Sequence, residues 1–186
     1  EEGRFRVRWH STDDVLAVPH DIPIPGYRNS TVNTLRLWKA DASEKLSLQE
    51  FNSGEHQGAV SNQNSAAQIS MVLYPNDVSM NGKILRLRQQ YFLSSASLQD
   101  VIARWFRFYS SDLTEFAAKN CFQLNDTHPA IAVAELMRLL VDEFLMSWEE
   151  AWGLTTKCMA YTNHTLLPEA LERWPVAMFR LLLPRL

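Results

Sequence analysis

The sequence predicts an α/β fold of short parallel strands with flanking helices. Two segments on one plan carry that expectation: Cys121-Phe122-Gln123-Leu124-Asn125-Asp126-Thr127-His128-Pro129 and Cys158-Met159-Ala160-Tyr161-Thr162-Asn163-His164-Thr165-Leu166-Leu167-Pro168. Each runs from a short apolar strand through a polar loop with one histidine to a proline that opens a helix. Two helical stretches lie between them, enough chain for the crossover that parallel strands require. The composition agrees, since 46% hydrophobic against 21% charged residues in a chain of 186 is the balance of a single globular domain that builds its core without disulfides.

The elements read in order as follows. Val15 to Val18 is a β-branched run, and Pro19-His20-Asp21-Ile22-Pro23-Ile24-Pro25-Gly26 reads as a stiff, turn-rich loop. Thr31 to Trp38 alternates, with Val32, Thr34, Arg36 and Trp38 on one face, and reads as a strand with one face better buried. From about Ser47 the period is helical, and residues 55–70 are so rich in Gln, Asn, Ser and Ala that composition alone suggests a solvated helix or a linker. Pro75, Asn76, Asp77, Asn81 and Gly82 mark a loop over Leu73 to Gly82. Ile84, Leu85, Leu87, Tyr91, Phe92, Leu98, Ile102, Trp105 and Phe106 carry a helical period with an expected break near Ser94, Ser95 and Ser97. A short helix is expected over Asp112 to Lys119, a longer one over Ala130 to Phe144 with Pro129 in its first turn. Ser147 and Glu150 have the spacing of a capping box for a further helix through Trp148, Trp152 and Leu154.

Charge and cysteine content narrow the function classes. The sum 18 − 21 = −3 with scattered basic residues is no footprint for nucleic acid. Cys121 and Cys158, each in an apolar stretch, read as reduced core thiols of a cytoplasmic protein. Arg138, Asp142 and Glu143 interrupt the longest apolar stretch, so no membrane span is expected, and the opening Glu-Glu-Gly-Arg is no signal peptide. The charged, unpatterned start and the stop at Leu186 after the apolar stretch Met178 to Leu183 suggest a piece of something larger.

Ligands of α/β sheets collect outside the carboxyl ends of the strands. The two repeated segments therefore place Asn125, Asp126, His128, Asn163 and His164 on one rim, beside helix N-termini that favour anionic or hydroxyl-rich ligands. Taken singly, such residues more often cap helices or shape loops than bind ligands. Their repetition at two strand ends points to a site. Asp126, His128 and His164 are chemically able to hold a metal, but no HExxH or tight Cys/His cluster supports one. There is no GxSxG elbow, and the six glycines form no phosphate-cradling loop.

Leu124-Asn-Asp-Thr-His-Pro129 followed by Tyr161-Thr-Asn-His-Thr-Leu-Leu-Pro-Glu-Ala-Leu-Glu-Arg-Trp-Pro175 closely resembles the glycogen and maltodextrin phosphorylase family. Pro23-Ile-Pro-Gly-Tyr-Arg-Asn29, Val32-Asn-Thr-Leu-Arg-Leu-Trp38, Leu73-Tyr-Pro-Asn-Asp77 and Gly82-Lys-Ile-Leu-Arg-Leu87 reinforce the match in the family's order. The resemblance runs from about Asp14 to Arg185. It implies that residues 1–186 form a single fragment of the N-terminal domain, part of a Rossmann-like fold of the glycosyltransferase-B type, without the cofactor-binding C-terminal domain.

What the resemblance implies for function is reversible phosphorolysis of α-1,4-glucans (glycogen, starch or maltodextrin) with phosphate to glucose 1-phosphate, with pyridoxal 5'-phosphate as cofactor. It places His164 on the glucosyl unit at the cleavage position and Asp126 and His128 in the neighbouring pocket on the glucan side. Asn163 belongs to the same motif, and Thr165, Glu169 and Ala170 match the other wall of the channel. Residues 75–82 resemble the gate that closes the channel. Asp77 is its acidic member, and Asn76-Asp77-Val78 stands where the family commonly has Asn-Asp-Asn, so the sugar contact of that second asparagine is missing. The helix at 55–70 resembles the tower helix that packs across the family's homodimer. The five lysines (39, 45, 83, 119, 157) lie in no segment resembling the pyridoxal-anchoring motif, so the fragment is expected to hold no catalytic, cofactor or metal residue. The rival reading is a non-catalytic glucan-binding or interaction module derived from a phosphorylase.

Overall fold

The structure, a computed structural model, describes residues 7–43, 52–55, 60–167 and 171–186. Contacts divide the chain into two compact units, one of Thr12–Gln89 and one of Glu1–Ser11 with Gln90–Leu186.

The first unit is built on a hairpin. Strand β1 (Val15–Pro25) pairs antiparallel with β2 (Val32–Ala42), in register from Val15 opposite Ala42 to Pro25 opposite Val32. The expected loop at Pro19 to Gly26 is therefore strand as far as Pro25. The reason is parity. Gly26 N–H donates across the ribbon to the Thr31 carbonyl at 2.8 Å, so even-numbered residues of β1 supply the ladder donors. Pro19, Pro23 and Pro25 all fall at odd positions, where an N–H would face away from the partner. One face of β2 is better buried, as the alternation predicts; it is the even one, and it continues through Ala40 and Ala42. Asp21 and Arg36 are register partners joined by two hydrogen bonds of 2.7 and 2.6 Å.

Helix α1 (Ser61–Met71) buries only Ala66 and Ile69, a narrow stripe set against β2. Ser70 Oγ accepts the Ala40 N–H at 3.0 Å, and Gln89 Nε2 donates to the Ile69 and Val72 carbonyls at 2.9 and 2.8 Å. The Gln89 side chain thus satisfies carbonyls at the end of the helix, and Ser70 an outward amide of β2. Residues 56–59 of the expected polar helix lie outside the described residues.

Helix α2 (Met80–Phe108) runs unbroken. No break occurs at the serines, because Ser94 and Ser95 are buried and Ser95 Oγ donates to Glu135 Oε1 at 2.6 Å rather than competing for the helix backbone. Its residues from Gln90 onward belong to the second unit. There α3 (Phe116–Lys119) is shorter than expected. Its leading residues form a turn in which Asp112 Oδ1 accepts the Thr114 N–H at 2.8 Å, a bond that lowers the Asp112 pKa. Strand β3 (Phe122–Asn125) follows, then α4 (Ala132–Arg138), a π-helical turn (Leu139–Glu143), α5 (Trp148–Cys158), β4 (Met159–Thr162) and α6 (Val176–Leu182).

The expected helix from Ala130 to Phe144 thus starts later and widens. Pro129 accepts the Ala132 N–H at 2.9 Å in a turn ahead of α4, and Phe144 N–H reaches back to the Leu139 carbonyl at 3.1 Å. The capping box at α5 is present in full, Ser147 accepting the Glu150 N–H and the Glu150 carboxylate accepting the Ser147 N–H. The core of this unit gathers Leu98, Ile102 and Trp105 of α2, Phe116, Leu124, Leu136 and Leu140, and Ala151, Leu154 and Cys158 of α5. Cys158 is a core thiol whose pKa burial pushes up to about 11, with the nearby Cys121 adding to the shift. Cys121 itself is exposed, contrary to expectation. It stands just before β3, two positions from outward-facing Gln123 and out of phase with core-facing Phe122 and Leu124.

One polar cluster is buried inside that core. Glu135 is 0% exposed, and it accepts from Ser95, from Tyr91 Oη at 3.4 Å and from Arg138 at 2.7 and 2.8 Å. Burial opposes the charge of Arg138, but the hydrogen bonds and charge of Glu135 outweigh it and raise the guanidinium pKa. Arg138 also reaches Glu143 and stacks over the Trp9 ring. A second pair, Arg185 with Asp142, ties the C-terminal end to the π-helical turn through bonds of 2.7 and 2.6 Å. Among the described residues no helix is long and apolar enough to cross a membrane.

Two stability predictions result. Glu135→Ala strands Arg138 in the core and should cost about 3 to 5 kcal/mol, read as a fall in the urea midpoint; a loss below about 1 kcal/mol would show the cluster to be hydrated. Tyr91 is raised from 10.0 to about 12, by burial first and by the Glu135 charge second. A raised folded-state pKa means the folded state keeps the proton longer, so this stability is intact below about pH 10 and is lost as pH rises toward about 12. The loss should reach about 2 to 3 kcal/mol, and Tyr91→Phe should flatten the alkaline limb of the stability curve.

Candidate sugar-binding rim

β3 and β4 pair in parallel, Phe122 opposite Met159 through Asn125 opposite Thr162. The two repeated segments, expected as parallel neighbours or near neighbours, are direct neighbours in one sheet, with the crossover made of α4, the π-helical turn and α5. Gln123 Nε2 donates to Thr162 Oγ1 at 2.8 Å across the pair. The loops leaving the two strands are joined by Asp126. Its N–H donates to the Thr162 carbonyl at 2.8 Å, and its Oδ1 accepts the His164 N–H at 2.7 Å. Asp126 adopts a left-handed conformation with φ of +59°, which aspartate tolerates better than most side chains.

This bridge sets the ring of His164 beside Asn125, with Nε2 3.3 Å from Asn125 Oδ1. An amide oxygen accepts, so this contact is a hydrogen bond when His164 carries a proton on Nε2. Asn163 and Thr165 shape their own loop, Asn163 Nδ2 donating to the Thr165 carbonyl at 2.8 Å and Thr165 Oγ1 accepting the Leu167 N–H at 3.1 Å. Glu169, Ala170 and Pro168 lie outside the described residues.

His128 belongs to a second cluster on the same loop. Its Nδ1 lies 3.5 Å from Glu172 Oε1, while Thr127 Oγ1 donates to Glu172 Oε2 at 3.2 Å. Gln90 Nε2 on α2 lies 2.9 Å from both oxygens of the same carboxylate. Glu172 is the rim residue that sequence reasoning missed. It lies in the segment from Tyr161 to Pro175, but its partners at 90, 127 and 128 are too distant in sequence for any spacing rule to find.

Asn76, Asp77 and Val78 belong to the first unit. Asn76 Oδ1 accepts the Val78 N–H at 2.9 Å, Asp77 lies 3.9 Å from Arg86, and Val78 is 87% exposed. Arg86 also lies over the ring of Tyr74, whose φ is +58°. α2 begins at Met80, so the loop ends three residues earlier than expected, and a Cβ at Gly82 would overlap the Asn76 carbonyl oxygen. Close backbone approach thus explains the glycine. Among the described residues no group of three or more His, Cys, Asp and Glu is placed to hold a metal.

Comparison with known proteins agrees with this architecture. A sequence model of the Phosphorylase family, carbohydrate phosphorylase, matches residues 1–186. The chain is 53% identical to glycogen phosphorylase, brain form, of Homo sapiens and 54% identical to that of Bos taurus, each alignment covering 96% of this chain. It is 52% identical to glycogen phosphorylase, muscle form, of Ovis aries. The chain belongs to the carbohydrate phosphorylase family. It spans 22% of the length of these relatives.

Loss of the Asp126 bridge is testable. Asp126→Ala should remove about 1 to 2 kcal/mol of local stability and speed amide exchange at His164, whereas Asp126→Asn, which keeps an acceptor and tolerates the left-handed backbone, should stay near native. Equal exchange in the native protein and the alanine variant would contradict the bridge.

Proposed function

We propose that this chain supplies one wall of the sugar-binding site of an α-1,4-glucan phosphorylase, which converts glycogen, starch or maltodextrin and phosphate reversibly to glucose 1-phosphate. The observation that supports it best is the joining of two polar loops at parallel strand ends through Asp126, with His164 and Asn125 side by side. A sugar hydroxyl both donates and accepts, and this rim offers both kinds of partner from a fixed frame. In this reading His164 holds the glucosyl unit at the cleavage position. Asp126 acts mainly by holding His164, and His128 lines the glucan side of the pocket. Asn163, Thr165, Glu169 and Ala170 form the adjoining wall, with Asn76, Asp77 and Val78 as the gate.

The family implies pyridoxal phosphate, which would need a lysine as its anchor. A Schiff-base lysine works from a desolvated pocket. Lys39, Lys119 and Lys157 are exposed and Lys83 is half-buried, and Lys45 lies outside the described residues. None of the described lysines fits, and no step is assigned to the cofactor on this chain. What these residues contribute is orientation, which lowers the barrier by fixing the reacting sugar in place. The proposal extends to a cytoplasmic homodimer, with the helix around 55–70 at its interface.

The test compares the complete enzyme with its His164→Ala variant, measuring glucose 1-phosphate released from maltodextrin. One lost hydrogen bond predicts a fall in kcat/KM of roughly three- to tenfold or more. Native kcat/KM in the variant would remove His164 from the site. The 186-residue chain alone, supplied with maltodextrin, phosphate and pyridoxal phosphate, should release no product.

A further inference from the structure

Resting on that reading, we propose that Asn125 is the positioning residue for His164, its side-chain amide fixing the turn of the imidazole that meets the glucosyl unit.

Two neighbouring residues at the end of β3 divide the work of holding His164. Asp126 Oδ1 accepts the His164 N–H at 2.7 Å and so fixes its main chain. That bond alone leaves the ring free to turn about its side-chain torsions. Asn125 meets the ring itself, with Oδ1 3.3 Å from Nε2, on the edge away from the backbone. A planar ring held at its base and at its far edge keeps one orientation.

The amide that does this stands on fixed backbone. Asn125 is the last residue of β3 and the register partner of Thr162, two positions before His164. The Asp126 N–H extends the ladder to the Thr162 carbonyl. Along the strand Asn125 shares its face with Gln123 and lies opposite core-facing Leu124, so packing leaves its side chain available. Among the described residues the His164 ring has no other partner. An amide carries an acceptor and a donor on one planar group, so a half-turn lets Asn125 meet Nε2 whether or not that nitrogen bears the proton. The positioning therefore holds for either tautomer.

Both side chains are exposed, and water competes for such a bond, so it adds little to the stability of the fold. A bound sugar displaces that water. The set of the ring then counts toward binding and orientation of the glucosyl unit instead of toward folding.

The experiment is a double-mutant cycle on the complete enzyme with Asn125→Leu and His164→Gln, reading kcat/KM for phosphorolysis of maltodextrin. Leucine is close to asparagine in size but offers the ring neither donor nor acceptor, and Asn125→Ala removes the amide without risk of a clash. The expected result is a roughly three- to tenfold fall in kcat/KM for N125L and N125A, and little further fall when either is added to H164Q. Asn125→Asp, which keeps an acceptor beside Nε2, should recover most of the loss. Native kcat/KM in both N125L and N125A would overturn the proposal. So would their full effect persisting in the H164Q enzyme, since Asn125 would then act without His164, or an aspartate variant as impaired as the leucine one. If H164Q itself shows native kcat/KM, His164 is no sugar contact, and it is the reading of the site that falls, taking the inference with it.

Discussion

A carboxylate with no access to water constrains most of the second unit. Glu135 is fully enclosed, and an ionised group in that position is tolerable only when its oxygens are saturated by donors. Ser95 and Tyr91 on α2 and Arg138 one helical turn along α4 supply them. The consequence is geometric. α2 and α4 are held at one rotation and one offset, because sliding either helix by a turn would strand the charge. The same guanidinium then reaches Glu143 at the end of the π-helical turn, where Asp142 in turn holds Arg185.

The rim inherits its precision from this frame. β3 and β4 are four residues each, too short to set a register by themselves. Their alignment comes from the crossover, whose helices pack Leu136, Leu140, Leu154 and Cys158 into one core. Asp126, at the end of β3, then ties the loops together by binding two backbone groups on the β4 side, the Thr162 carbonyl and the His164 N–H. Packing thus places the strands, and one left-handed aspartate places the histidine.

Legibility in the sequence follows the range of the interaction. The parallel pair, the capping box and the buried face of β2 depend on neighbours or simple periods, and all three were readable. Pro19, Pro23 and Pro25 suggest a loop by content alone, whereas their odd spacing is what lets a strand accept them. The expected break at Ser94 and Ser95 failed because their partner, Glu135, lies 40 residues away for Ser95. The π-helical turn has no compositional signal at all, and the exposure of Cys121 depends on where a strand begins. In the rim, His164, Asp126 and His128 were recognisable from their motifs. Glu172 was not, since its place beside them is created by the packing of segments distant in sequence.

The spacing of the prolines in β1 also bears on association. Of the six odd positions from Val15 to Pro25, three are proline and a fourth is Asp21. Half of the outward amide donors are therefore missing from that side of the ribbon, and among the described residues β1 pairs with no strand but β2. A foreign strand could not complete a ladder there, so the free margin of β1 is barred from templating the edge-to-edge growth that exposed strands otherwise invite.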